Sequence, residues 1–407
     1  MSLAGKRSHS LESKIRVECV QDTAAFNALK GDWNTLVEHS IHPQPFILWE
    51  WMFTWWEVYQ QSGYELLILG VYDDKKLVAI APFYIDNAHW LMRRRLRMLG
   101  EGEAREDEVV SHYPDVIALA SHRQQTTDAL VDYLLSNEKK WTLGQFRFML
   151  GGSLLNEMQQ KLSKAFDHYT VSSSQSYAIQ LPTTPEGYVN SLSRSMRKQF
   201  RSRLTRMENS GELKIISAHE FDDPHEAMDI LERLHRARWQ GRDSSSIFDS
   251  TAFKTFHKIL LNRLLDQGII DIRVMYHNGE AIAAVHNFNF KKRCYSYQSG
   301  FSSQDDKRFS PMVVFDILEI QALVSAGYLE YDYLSAEGDN SYKAKFKCES
   351  EPVYETLWLK RGWQSILMRS YRRTRSFGGR YYRSLKQVDL NGLVNSIMEF
   401  PKRALHR

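Results

Sequence analysis

A disulfide scaffold and a cysteine-ligated metal are the first things this chain lacks the material for. It has 3 cysteines, Cys19, Cys294 and Cys348, odd in number and far apart. No pair has metal-ligand spacing, which argues against a zinc site and against a disulfide framework, and the chain reads as intracellular and cytoplasmic. Cys294 falls in a predicted strand and reads as buried filler. No window approaches the ~20 uninterrupted apolar residues of a membrane-spanning helix. The opening residues MSLAGKRSHSLESK are polar and do not read as a secretory signal. Net charge is +4, too mild by itself to argue for nucleic acid. No G-x-S-x-G, P-loop, G-x-G-x-x-G or H-E-x-x-H occurs. ATP hydrolysis, dinucleotide redox and zinc hydrolysis are therefore disfavoured.

At 407 residues the chain is long for one core, and two domains are expected. We place them at 1–182 and 183–365, followed by a basic amphipathic tail, 366–407. Aromatic residues make up 12%, a level that favours well-packed cores. The segment PFILWEWMFTWWEVYQQSG, 45–63, reads as a helix with Trp51, Trp55 and Val58 on one buried face. Asp22-Thr23 caps a helix over 22–39. The stretch YPDVIALA, 113–120, and the stretch SYAIQL, 176–181, read as strands. Two segments can be laid on each other: VYDDKKLVAIAPF and MYHNGEAIAAVHNF. Each is a strand, a four-residue polar turn and an apolar strand, with a third strand, a loop, a helix and a further strand after it. One α/β unit duplicated at a period of roughly 200 residues is the economical reading.

The run from Gly268 to Lys347 carries most of the chemistry. A meander of strands is followed by the polar loop SSQDDKRFSPM, the helix VVFDILEIQALVSAG and the strand YLEYDYLSAEG. That order sets a loop and a helix N-terminus beside a sheet that must splay to receive its last strand. Ser310 can cap the helix and Pro311 suits its first turn. Lys307 and Arg308 supply charge, and the N–H groups near Met312 and Val313 could meet a diphosphate. An ordinary Ser-Pro helix start with solvated charges stays open. Strand alternation sets Tyr331, Tyr333 and Ser335 on one face and Asp332 and Leu334 on the other. Asp332 among apolar neighbours could serve as a base near neutral pH, and Glu337 flanks the same strand end. Tyr342 could protonate a leaving thiolate, and Lys343 could clamp an anion. His286, sharing a strand face with Ala284 and Phe288, is a second base candidate or a satisfied core histidine. His235, Arg238 and Trp239 point together from one helix and could form an acceptor platform, or pack that helix on its domain. Basic residues gather in three places: Arg93 to Arg97, Arg194 to Arg206, and the tail. The helix with Arg194, Arg197, Lys198, Arg201, Arg203 and Arg206 reads as a binder of an anionic acceptor or as a solvated linker.

Five segments in this order resemble the CelD/BcsL-type acetyltransferases: PFILWEWMFTWWEVY, SRSMRKQFRSRLTRMENSGEL, LHRARW, SGFSSQDDKRFSPM and YDYLSAEGDNSYKAKFK. That family belongs to the Gcn5-related N-acetyltransferase (GNAT) superfamily and is akin to the Fem-type aminoacyltransferases. The resemblance implies an α/β (α+β) fold of two tandem GNAT-like domains, each a mixed, mainly antiparallel sheet flanked by helices. It implies acyl transfer from acetyl-CoA or another acyl-CoA, without a metal, to an amine or hydroxyl of a small-molecule or saccharide acceptor, in exopolysaccharide or cell-envelope synthesis. On that mapping Arg308 to Val313 would meet the diphosphate, Asp332 to Lys343 would border the reactive centre, and Trp239 would face the acceptor. The superfamily's glycine-rich diphosphate loop is absent, and Met312 stands where glycine is common. Two other readings stay open. One is a Fem-type transferase using aminoacyl-tRNA, suggested by the basic helix and tail. The other is a non-catalytic scaffold that touches a membrane or a polysaccharide-synthesis partner through the tail.

Overall fold

Strand-forming residues gather in two runs that repeat one order. The structure, a computed structural model, describes residues 15–87, 94–239, 246–302, 309–336, 343 and 345–362. In the first run, β1 (Ile15–Val20) leads through α1 (Thr23–Ala28), α2 (Lys30–Glu38) and α3 (Trp49–Tyr59) into β2 (Tyr64–Asp73), β3 (Lys76–Asp86) and β4 (Arg95–Met98). The short β5 (Ile117–Ala118), α4 (Arg123–Ser136), β6 (Leu143–Leu150), α5 (Leu154–Lys161) and β7 (Phe166–Gln180) complete it. The second run opens with α6 (Pro185–Ser191) and α7 (Arg194–Ser210). It continues through β8 (Leu213–Ser217), α8 (His225–Trp239), α9 (Thr251–Leu264), β9 (Ile270–His277), β10 (Glu280–Phe290) and β11 (Arg293–Phe301). It closes with α10 (Pro311–Ser325), β12 (Glu330–Ala336) and β13 (Glu349–Lys360).

Local chemistry explains the punctuation. Asp22 Oδ1 accepts from the Ala25 N–H at 2.8 Å, which caps α1. The β9–β10 hairpin turns at Asn278 and Gly279, with φ 53° and 80°. Two left-handed residues match the twist of the flanking strands, so Asn-Gly is the natural pair there. One expected strand shrinks: of residues 113–120 only Ile117 and Ala118 form a strand, with Leu119 in a single bridge to Ser40. Tyr113 is left-handed at φ 57°. Asp115 turns inward, accepting from the Leu154 and Leu155 N–H groups at the start of α5 at 3.0 and 3.1 Å. Those two commitments leave no extended backbone before Val116.

The strands join in one mixed, largely antiparallel sheet of order β1-β2-β3-β4-β6-β13-β7-β12-β11-β10-β9-β8. Its middle is an exchange. β13, the last strand of the second run, pairs with β6 of the first, from Val353↔Leu150 to Leu359↔Leu143. β7, the last strand of the first run, pairs with β12 of the second. β7 and β13 also pair with each other along nearly their whole lengths. Each run therefore finishes the other's sheet.

Helices cover both faces. On one face α3 and α9 pack across the two runs: the Trp51 ring meets Phe256 edge-on at 5.0 Å. The expected tryptophan face is buried, with Trp51 and Trp55 fully so. The indole N–H groups find acceptors in Ser111 Oγ and Glu103 Oε2, at 2.8 and 3.0 Å. The face is also set by alternation in β10, where Ala284 and Phe288 point to this layer and Ala283 and Val285 point to the other. That second layer holds α6, α7 and α10.

Candidate active site

Two neighbouring strands part company here. β11 and β12 run parallel and pair only at Arg293↔Glu330, Cys294↔Tyr331 and Tyr295↔Asp332. Beyond Tyr295 they separate. Both are irregular just past the split. In β11 the register against β10 shifts so that His286 faces Gln298 and Asn287 faces Ser296, which leaves Tyr297 as the extra residue of a bulge. In β12 the pairing with β7 skips from Asp332 to Ser335, and Leu334 between them is left-handed at φ 61°.

A cavity of ≈ 980 Å³ occupies this opening. Its edges are Ser296 to Ser299 on β11 and Tyr333 to Ser335 on β12. On one face it is lined by Arg238 of α8 and by His112, which comes from the first run. On the other face it is lined by Ser195, Met196 and Arg203 of α7 and by Met312, Val313 and Asp316 of α10. The cavity therefore passes through the sheet. Its charge is mainly positive: Arg203, Arg238, Lys343, Lys345 and Lys347 border it, with Asp316 as the acid.

Gly300 sets how closely α8 approaches. A Cβ at Gly300 would stand 2.5 Å from the His235 backbone nitrogen. Only glycine lets the helix carrying Arg238 lie this near to β11.

The titratable groups at the split are tuned by burial. Asp332 Oδ1 accepts from the Tyr113 hydroxyl at 3.0 Å and from the Leu334 N–H at 2.7 Å. Burial pushes its carboxyl up to about 6, opposed by the Leu334 N–H and the Arg293 guanidinium. Lys343 Nζ donates to the Tyr333 and Leu334 carbonyls at 2.7 and 3.2 Å. Burial lowers it to about 8, while Asp332 works the other way. His112 Nδ1 lies 2.9 Å from Ser335 Oγ. Burial, and then the Lys343 ammonium, push that imidazole down to about 3. At neutral pH the opening thus holds a neutral imidazole, a carboxylate that takes up a proton near pH 6, and a lysine that gives one up near pH 8.

Of the residues singled out in the sequence, Arg238, Ser310, Met312, Val313 and Lys343 line the cavity. Pro311 is buried in the first turn of α10, and Ser310 before it is left-handed at φ 47°. Asp332 lies buried beside Tyr333 at the split. Pro311 and Asp332 adjoin the lining without forming part of it, and His235 and His286 turn elsewhere. His235 turns to Ser246, Nδ1 to Oγ 2.8 Å. His286 packs its ring on His257, Phe288 and Tyr297 in the α9 layer, and burial holds it down to about 3. An imidazole so depressed does not take a proton near neutrality. Lys307, Arg308, Glu337, Tyr342, the side chain of Trp239 and the tail 366–407 lie outside the described residues.

Sequence reasoning missed His112 and Tyr113 and put Ser335 on the face of Tyr331 and Tyr333. The left-handed Leu334 breaks that alternation and brings Ser335 to His112. Among the described residues no group of three or more His, Cys, Asp or Glu is placed to hold a metal ion. No described helix is long and apolar enough to cross a membrane.

Comparison with known proteins agrees with this architecture. Residues 194–344 match the family model described as an acetyltransferase (GNAT) domain. No curated protein matches the chain. Among solved structures, FemX superposes with a TM-score of 0.59 at 9% identity, covering 82% of this chain and 96% of its own. A C-terminal domain (DUF2156) ascribed to a lysylphosphatidylglycerol synthetase of Agrobacterium fabrum gives 0.50 at 12% identity, covering 87% and 97%. A tandem GNAT protein from the clavulanic acid biosynthesis pathway gives 0.47 at 9% identity, covering 85% and 99%. At such identities the likeness to FemX is one of fold. Most residues that line the cavity at the β11–β12 split, from Ser195 to Lys343, fall in the stretch that matches the GNAT acetyltransferase domain model.

Proposed function

We propose that the chain is an N- or O-acyltransferase that moves an acetyl or other acyl group from acyl-coenzyme A to an amine or hydroxyl. The acceptor is a small molecule or saccharide, and the CelD/BcsL resemblance points to exopolysaccharide or cell-envelope synthesis. The observation that carries the reading is the cavity through the β11–β12 opening. A long thioester donor and a separate acceptor must reach one carbonyl from two sides, and this cavity has a lining on both faces of the sheet. The donor side is the layer of α7 and α10. There Arg203, Lys345 and Lys347 meet a polyanion, and the first turn of α10 contributes its positive dipole end. These cations take over the part that glycine-rich loops play elsewhere. The acceptor side is the layer of α8 and His112.

Transfer then needs no covalent intermediate on the protein. The acceptor nitrogen or oxygen bonds the acyl carbon, the C–S bond breaks, and its electron pair leaves on sulfur. Asp332, held near the working pH and fixed by Tyr113, takes the acceptor's proton. The proton finally resides on the thiolate. The Lys343 ammonium, tied to the Tyr333 and Leu334 carbonyls, adds positive charge beside the developing negative charge. Thermal stabilisation by acetyl-coenzyme A, with thiol release on adding a panel of amines and amino sugars, tests the reading. Absence of any shift at saturating acetyl-coenzyme A would sink it and favour a non-catalytic scaffold.

One observation favours a second reading. Arg194, Lys198 and Arg201 are exposed on α7, the helix that also gives Ser195 and Arg203 to the cavity. A basic face continuous with the cavity suits an aminoacyl-tRNA donor, as in Fem-type transferases. Salt-dependent retention of tRNA, abolished by reversing these three charges, supports it. No retention at low salt removes it.

A further inference from the structure

The loop between β4 and β5 belongs to the first run, yet it delivers a side chain to the second run's cavity. His112 and Ser335 are both buried, and both line the opening. They are 223 residues apart in sequence, and they meet Nδ1 to Oγ at 2.9 Å. The aromatic packing of His112 on Phe46 and Tyr297, at 5.5 and 6.2 Å between ring centroids, fixes its plane. Burial and the Lys343 ammonium keep the ring neutral. A neutral imidazole has one N–H and one lone pair, so it hydrogen-bonds without exchanging a proton. If Nδ1 carries the proton and donates it to Ser335 Oγ, the hydroxyl hydrogen is left to point into the cavity. Two donors in series polarise one another.

Resting on the acyltransferase reading, we propose that Ser335 is a catalytic residue whose O–H donates to the oxyanion formed when the thioester carbonyl is attacked, and that His112 is the positioning residue that aims it. As the acceptor's nitrogen or oxygen bonds the acyl carbon, the carbonyl electron pair moves onto oxygen. Collapse returns that pair, breaks the C–S bond and sends its electrons to sulfur. Asp332 takes the acceptor's proton, and the thiolate receives it. Ser335 keeps its own proton throughout, and its contribution is electrostatic. The first run is then part of the catalytic apparatus of the second.

The test uses the full-length chain with acetyl-coenzyme A as donor and hydroxylamine as acceptor. Thiol release and acetyl-coenzyme A affinity are measured for the parent, Ser335→Ala, Ser335→Thr, His112→Ala and His112→Asn. Loss of one oxyanion donor lowers kcat by about 10²–10³. Ser335→Ala is expected to show that loss with acetyl-coenzyme A affinity held within a few-fold, and Ser335→Thr to recover most of it. His112→Asn, which keeps an N–H donor, is expected to outperform His112→Ala. The acid limb of the pH profile is expected to stay in place in all four. Unchanged kcat in Ser335→Ala and His112→Ala, a rise in KM alone, or a His112 variant that moves the acid limb overturns the relay and leaves the acyltransferase reading standing. Failure of the parent to bind or turn over acetyl-coenzyme A overturns that reading, and the relay with it.

Discussion

Two openings between parallel strands start alike and end differently. In the first run β4 and β6 pair only at Arg95↔Leu143 and Leu96↔Gly144. In the second, β11 and β12 pair at three positions and then separate. The first opening is filled. The Arg147 N–H points at the Glu101 carboxyl group, 3.3 Å from Oε2, and the Arg147 guanidinium pairs with Glu108. Tyr84 donates its hydroxyl to the Glu101 carbonyl at 2.7 Å. On the adjoining strands Arg95 and Arg97 share the buried Asp86, at 2.5 and 3.2 Å. The second opening holds a cavity instead. The topology makes a gap in each half, and in the first half the loop that follows β4 plugs it. That loop does two jobs. It plugs its own gap with Glu101 and Glu108, then reaches the other with His112 and Tyr113.

The largest way to break this comparison is to remove β13 by ending the chain after Cys348. β13 supplies partners to β6 and β7, and Trp358 on it packs on Phe146 at 4.5 Å. Both halves are expected to lose cooperative unfolding in circular dichroism, because the loss exceeds the ~5–15 kcal/mol that holds a domain together. A truncated chain that unfolds cooperatively would show that the exchange is dispensable. Next in size is Asp332→Asn. It is expected to lower kcat by about 10²–10⁴. In the parent, kcat/KM should fall as pH drops through about 6, where Asp332 protonates. Stability moves the other way. A carboxyl raised from 3.8 to about 6 favours folding while protonated, and that contribution is lost as pH rises through about 6. At neutral pH Asn removes an unfavourable buried charge, and a gain on the order of 1–3 kcal/mol in calorimetry is expected.

Gly300→Ala is a smaller change on the open side. Its new methyl group would meet the α8 backbone, which costs about 1–3 kcal/mol and shifts Arg238. The expected signature is a raised KM for the acceptor with little change in acetyl-coenzyme A affinity. The smallest effect belongs to the plugged side. Burial pushes Glu101 up to about 8, so it is already protonated at neutral pH. Glu101→Gln is expected to change stability by less than about 1 kcal/mol and transfer not at all. A transfer defect in Glu101→Gln would show that the first opening is more than a plug.

Much of the fold could be read from the sequence because it is local. The Asn278-Gly279 turn, the Asp22 cap and the tryptophan face of α3 are fixed by residues within a few positions of one another. The splay beside the last strand was also legible, from the order of elements. What could not be read depends on contacts between distant segments or on single backbone angles. Nothing near Tyr113 announces its left-handed backbone or its bond to Asp332, 219 residues away. Alternation assigned Ser335 to one face, and one residue, Leu334, overturned it. Candidates taken from helix spacing divided for a similar reason. His235 and Arg238 share a helix, yet Ser246 draws the first away while the second stays in the cavity.

The strand exchange also has a consequence in time. A ribosome makes β6 long before it makes β13. At roughly 5–20 residues per second, the edge of β6 waits on the order of 10–40 s for its partner. During that interval β6 and β7, which run parallel and are joined through α5, can pair with each other, a contact that the finished sheet does not contain. The entry of β13 between them must undo any such pairing. The slowest event in making this protein is therefore expected to be the insertion of β13, and the chain should be most vulnerable to aggregation just before Lys360 emerges.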